Sequence, residues 1–277
     1  MTQVFTLVVP QWQGGGVGTG PFHGARSMLK KWGENYVQAQ VYVHEQSVTK
    51  KEENIWYEYE IIDHVQQILT ILDEHRPERI VTLGGDCGSD FVPISYLNKV
   101  YDANVTVLWL SAHADVHTPE SSPSHRFHGM PVRLLLGEGA PGLLRLLPSQ
   151  LDVEQFVYSG LRDVGHAERQ YIVDNQIPIV PVCRECGDML NMVVEKTGRK
   201  NLYIHLDLDV IDPVDFDSVA YPFEGGFRYK DLLESFYQLG NQFSVIGCAV
   251  TGYHPQGSEE NAAKVREILT VIKEIMG

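Results

Sequence analysis

At 277 residues, 43% of them hydrophobic and 21% charged, the chain is long enough for a sizeable core and reads as an ordinary globular protein. Its 22 basic and 36 acidic residues leave a formal net charge of −14 with no Lys/Arg cluster, which argues against nucleic acid and anionic membrane as partners. No run approaches the ~18 apolar residues of a membrane span, MTQVFTLVVPQW lacks the marks of a signal peptide, and four scattered cysteines suit a reducing cytoplasm.

Taken in chain order, β-rich runs alternate with amphipathic stretches of helical period. Strands are expected at Val4–Val9, Tyr36–Val43, Ile80–Leu83, Val105–Trp109, Gln155–Tyr158, Ile177–Val182, Leu202–Leu208 and Phe243–Val250. Helices are expected at Gly24–Trp32, Ile55–His75, Asp90–Tyr101, Glu168–Asn175, Asp188–Lys196, Tyr229–Leu239 and Glu259–Met276. Strand, helix, strand at this spacing predicts crossover units and a mostly parallel sheet covered on both faces. Without a linker-like segment or repeat, residues 1–277 read as one domain. Cys183-Arg-Glu-Cys186 is a lone CxxC; a structural zinc wants a second pair, so two incidental thiols are the simpler reading.

Sheets of this kind bind ligands at the carboxyl ends of their strands, and three of those ends are polar. Ile80–Leu83 runs into GGDCGSD, residues 84–90, whose glycines allow close backbone approach and whose Ser89 is placed to cap the next helix. Val105–Trp109 runs into Ser111-Ala112-His113-Ala114-Asp115, where continued alternation would point 111, 113 and 115 to one side. The third end is YIHLDLDVIDP, residues 203–213, in which Asp207, Asp209 and Asp212 interrupt an apolar run. Asp212-Pro213 reads as turn chemistry. Buried carboxylates this close together cost several kcal/mol each unless their charge is offset. His113, Asp115, Asp207 and Asp209 together make an N/O donor set for a divalent cation, and that is the offset expected.

These motifs, with SAHADVHTPESSPSHRFHGMP, YSGLRDV and EGGFRYKDLLE in the same order, resemble the arginase/agmatinase/formiminoglutamase (ureohydrolase) family over nearly the whole chain. The resemblance implies a three-layer α/β/α fold with a parallel sheet of about eight strands. It also implies a homo-oligomer, trimer or hexamer, with Mn²⁺ at the strand ends and a small guanidino or amidino compound as substrate. By the same resemblance, His113, Asp115, Asp207 and Asp209 fall on metal ligands and His128 on a proton shuttle. An imidazole of ordinary pKa ~6.5 suits that shuttle. His117, Ser124 and Arg126 fall where the family holds the far end of its substrate.

The chain departs from the family pattern at points that touch chemistry. Cys87 stands where a histidine ligand is expected, and Ser111 where an aspartate would bridge two ions. Gly252 replaces a guanidinium-binding glutamate, Gly165 an amino-group partner, and Ser124-His125-Arg126 the arginase Ser-Gly-Asn. Cys87 as a thiolate ligand would soften the site toward Zn²⁺ or Fe²⁺, with one or two ions bound. The motifs alone suggest a firm site from His113, Asp207 and Asp209 and a weaker one from Cys87 and Asp115. The expected activity is metal-dependent hydrolysis of a non-peptide C–N bond in a guanidino, amidino or formimino compound, by an enzyme that is not a true arginase. The alternative is an inactive relative retained as a binding or partner subunit.

Overall fold

A computed structural model describes residues 3–16, 18–47, 50–182, 190 and 194–277. Cys183, Cys186 and most of the helix expected over Asp188–Lys196 lie outside the described residues.

Ten strands are described: β1 (Phe5–Val9), β2 (Ala39–Gln40), β3 (Lys51–Glu52), β4 (Ile55–Trp56), β5 (Ile80–Gly84), β6 (Val105–Leu110), β7 (Phe156–Ser159), β8 (Ile179–Val180), β9 (Asn201–Asp207) and β10 (Ser244–Thr251). Eight of them form one sheet in the order β2-β1-β5-β10-β9-β6-β7-β8. Every pairing in it is parallel. Helices flank the sheet, so the three-layer parallel architecture expected from the alternating pattern is the one found.

Side-chain alternation divides the core into two layers. Val105, Val107, Trp109 and Tyr203 face the layer under helices Glu58–His75 and Phe91–Val100. Leu108, Leu110, Leu202, Ile204 and Leu206 face the opposite layer, under Gly20–Trp32, Tyr229–Gln242 and Glu259–Met276. Because the central strands are buried on both faces, a polar side chain on them must find its partner inside the protein.

Several boundaries differ from expectation. Tyr36–Val43 contributes only Ala39–Gln40 to the sheet, after a 3₁₀ turn at Glu34–Tyr36. It is an edge strand, with one neighbour to hydrogen-bond. The second helix begins at Glu58 rather than Ile55, since Ile55 and Trp56 pair antiparallel with Lys51 and Glu52. Ser89 does not cap the helix after it; its hydroxyl accepts from the Gly85 amide at 3.0 Å. Nor does the extended backbone continue past β6 or β9: β6 stops at Leu110, and Leu208–Val210 is a 3₁₀ turn.

Candidate metal centre

The polar ends of β5, β6 and β9 meet at the carboxyl edge of the sheet, where β5, β10, β9 and β6 are successive neighbours. At the β5 end the chain needs glycine, because a Cβ on Gly85 would lie 1.9 Å from the Gln11 carbonyl oxygen. The Asp86 carboxylate gathers this loop, accepting from Gln11 Nε2 (3.0 Å), the Gly15 amide (3.1 Å) and the Gly88 amide (2.9 Å). That capping starts the 3₁₀ turn Cys87–Ser89 and buries the Cys87 thiol. The Cys87 Sγ donates to Asp207 Oδ2 at 2.7 Å.

After β6, Asp115 reaches the centre through a left-handed turn (φ 53°) instead of through strand alternation. Asp207, the last residue of β9, accepts the Asp209 amide at 2.9 Å and so turns the chain into its 3₁₀ segment. Asp209 then points back across to β6. It accepts from Ser111 Oγ (3.2 Å), the Ala112 amide (2.9 Å) and His113 Nδ1 (2.7 Å). Asp115, Asp207 and Asp209 are all buried.

Sequence reasoning about ligands passed over His205 and Asp90. His205 shares a strand face with Asp207, two residues on, and that alternation is the signal that could have found it. It is fully buried, stacked on its cross-strand neighbour Trp109 with centroids 3.5 Å apart and planes 5° from parallel. Its Nδ1 lies 3.0 Å from both oxygens of Asp90, itself fully buried. Among the described residues its Nε2 has no hydrogen-bond partner, and neither does the buried Asp115 Oδ2. Ligand atoms of Cys87, Asp115 and His205 all lie within 4.8 Å of one another. An ion with arms of 2.0–2.3 Å in tetrahedral geometry holds its ligand atoms about 3.4–3.7 Å apart, so small adjustments would seat one. The residues fit a divalent cation: two orphaned polar atoms and a thiol converge at one buried point.

Electrostatics agree. Burial, followed by the charges of Asp207, Asp115 and Asp209, pushes the Cys87 thiol well above its ordinary range. Burial raises Asp115 to about 8, and burial with the Asp209 charge raises Asp207 to about 6. Near pH 7, Cys87 and Asp115 therefore hold protons that a cation would displace, while Asp207, raised less, is largely ionised. Burial also acts against charging Asp209, but the His113 hydrogen bond and charge prevail and hold it below its ordinary value. Likewise burial opposes protonation of His113, which the Asp209 contact overrides, raising it to about 10. His113 and Asp209 therefore form an ion pair, with Asp163 3.5 Å from the other imidazole nitrogen.

His128 sits in the 3₁₀ turn Phe127–Gly129, its ring stacked on Tyr221 at 5.9 Å. Burial, then the neighbouring His113 charge, lowers it to about 4, so it is neutral in solution near pH 7. Both line a cleft of about 30 Å³ with Cys87, Asp207, Asp209 and Gly252, room for one or two waters. Tyr221 is a lining residue that the motifs did not single out.

The residues expected at the far end of a substrate lie outside that lining. His117 is tied to Glu168 (3.4 Å) and Ser121 (3.1 Å). Ser124 Oγ accepts the Arg126 amide at 3.2 Å. The Arg126 guanidinium lies over the Trp56 ring at 5.3 Å, and its buried Nη1 has no hydrogen-bond partner. At Gly252 the backbone is left-handed (φ 75°), and a Cβ would stand 2.1 Å from Asp207 Oδ1. Asp207 fills the space a longer side chain would need.

Comparison with known proteins bears on this arrangement. The model of the arginase family matches residues 16–277. An arginase of Staphylococcus aureus (strain MRSA252) is 33% identical over 158 residues, which is 54% of this chain and 52% of the relative. The match thus spans about half the length of that relative. The fold is shared with Entamoeba histolytica arginase, solved in complex with L-ornithine (TM-score 0.84, 22% identity, covering 97% of this chain and 98% of that one). It is shared also with formimidoylglutamase from Bacillus subtilis (TM-score 0.69, 16% identity, covering 100% and 88%).

Proposed function

This chain belongs to the arginase family, and from that premise we propose that it hydrolyses a carbon–nitrogen bond in a small amidine-type compound other than arginine. The observation that carries this reading is the buried convergence of Cys87, Asp115 and His205, two of whose polar atoms lack partners, beside a cleft that also holds His128. Orphaned buried polar atoms cost free energy, and a bound cation would recover it. Cys87, Asp115 and His205 would hold that cation, with Asp207 adjacent; a divalent ion there supplies Lewis acidity and a water activated near neutral pH.

The protein's own groups suggest the remaining roles. His128, kept neutral by burial, is the base that takes a proton from the attacking water and returns it to the leaving amine. Asp209 lines the cleft and is held in place by its ion pair with His113. Ser111 Oγ helps to fix the Asp209 carboxylate.

Arginine itself fits poorly. A guanidinium tail needs a free carboxylate, and the carboxylates lining the cleft are Asp86, Asp207 and Asp209, each already accepting hydrogen bonds from the protein. Losing a buried charge partner costs several kcal/mol of binding. Arg126, whose Nη1 has no hydrogen-bond partner among the described residues, is the handle offered instead, and it suits a substrate with an anionic tail and an amidine head smaller than a guanidinium, such as an N-formimino acid. The test is release of ammonia, formamide or urea by metal-loaded protein over a panel of acidic formimino and guanidino compounds, with arginine and agmatine alongside. Product from an acidic compound, with little from arginine, supports the reading; product from none, at full metal occupancy, overturns it.

A further inference from the structure

His205 is the buried group that the family motifs leave unexplained. It sits among apolar β9 residues with no exposure, where a leucine or valine would cost nothing to bury. Its surroundings fix it in one orientation. Trp109 holds the ring plane by stacking, and both Asp90 oxygens hold Nδ1. The opposite nitrogen has no partner among the described residues, and a ring nitrogen of His205 lies within 4.8 Å of ligand atoms of Cys87 and Asp115. A carboxylate on one imidazole nitrogen, with the other free of protein partners, is the arrangement that orients a metal-binding histidine. Asp90 gains from it too, since Nδ1 donates to its carboxylate.

The set Cys87 Sγ, Asp115 and His205 Nε2 is one sulfur, one oxygen and one nitrogen. Three protein donors, with a fourth position toward the cleft that Cys87 lines, is the pattern of a catalytic zinc site rather than a closed structural one. Thiolate favours zinc and other thiophilic ions over manganese, which lies lowest in the divalent affinity order. Meanwhile Asp209 is satisfied within the protein by three donors, Ser111 Oγ, the Ala112 amide and His113 Nδ1.

We propose that the chain holds a single thiophilic divalent cation, zinc by preference, on Cys87, Asp115 and His205, with Asp90 as the residue that positions His205. The His113–Asp209 pair takes the place of a second ion. This reverses the order of strength that the motifs alone suggest. It rests on the metal-dependent reading above but is tested without turnover.

Metal-free protein is titrated with Co²⁺ under anaerobic conditions and followed by absorption. The expected result is one equivalent bound, with intense visible bands of four-coordinate cobalt and a thiolate-to-cobalt charge-transfer band in the near ultraviolet. Cys87→Ser removes the charge-transfer band. His205→Ala weakens cobalt binding about 100-fold or more, and Asp90→Asn, which keeps the side chain's size, about ten-fold. His113→Ala keeps one equivalent. Zn²⁺ displaces the cobalt stoichiometrically, whereas Mn²⁺ fails to do so at about 100-fold excess. Should His205→Ala not fold, the parent spectrum, Cys87→Ser and His113→Ala still decide. Two equivalents, no charge-transfer band in the parent, or loss of cobalt from His113→Ala would overturn the proposal. Stoichiometric cobalt with its charge-transfer band and no hydrolysis of any compound would leave this proposal standing while removing the enzymatic one.

Discussion

At the scale of one residue, Gly252 leaves no room for the glutamate that the family pattern places there. Its φ of 75° and the 2.1 Å separation between a built Cβ and Asp207 Oδ1 exclude any side chain unless the carboxylate moves. Asp207 occupies the space that a longer side chain at position 252 would need. His128 is the residue on which turnover should hinge. His128→Asn is expected to lower turnover by about 10²–10⁴-fold with metal content unchanged; turnover equal to the parent would remove the shuttle role. Cys87, His113, Asp115, Asp207 and Asp209 were legible as a group because polar residues at the ends of apolar runs are costly without a purpose. His205 was not. Its role depends on Asp90, 115 residues away in sequence, and on the register that sets Trp109 opposite it. No local pattern carries that pairing.

Helix and strand boundaries set what these residues can reach. Helix Glu58–His75 starts only after the Lys51–Trp56 hairpin, and its first residue is buried beside Glu52 and Glu53. Burial first, then those like charges, raises Glu58 to about 7. Folded chains hold this proton up to about pH 7, whereas the unfolded carboxyl releases it near its ordinary 4.5. Stability from this group therefore falls as pH rises from 4.5 to 7 and is level above. Glu58→Gln should gain about 1–3 kcal/mol over the parent across that window, measured as the difference between urea unfolding curves at pH 4.5 and 8. His64, lowered to about 4 by burial, acts in the opposite direction, and the difference between the two proteins cancels it. A flat difference would show that Glu58 ionises normally. The segment between Asp212 and Gly226 is also fixed at both ends. Asp212 accepts the Val214, Gly225 and Gly226 amides, and Arg162 ties the Asp209 and Phe223 carbonyls. That anchoring holds Tyr221 over the cleft, and a substrate larger than one or two waters must move it. The Asp212-Pro213 turn was readable from sequence; the use made of it by residues 225 and 226 was not.

Across the whole molecule, eight apolar runs became eight strands of one parallel sheet, with β2 and β8 cut to two residues each, because strand and helix periods alternate along the chain. Their order could not be read the same way. β5 and β9 are separated in sequence by β6, β7 and β8, yet both flank β10, the last strand formed by the chain. That placement brings Cys87 to Asp207 and His205 to Asp90, and with it three buried carboxylates to one edge of the sheet. A chain of net charge −14 gathers still more negative charge at this point unless a cation or protons neutralise it. Metal binding and folding should then be linked, since an ion bound only by the native state stabilises it by mass action. The most direct test is elemental analysis of protein dialysed against trace divalent metals, read together with its thermal unfolding. One bound ion per chain, with a Tm that falls when the ion is chelated and recovers when it is restored, is the predicted result. Protein that takes up no metal and melts at the same temperature in chelator and in zinc would contradict the account.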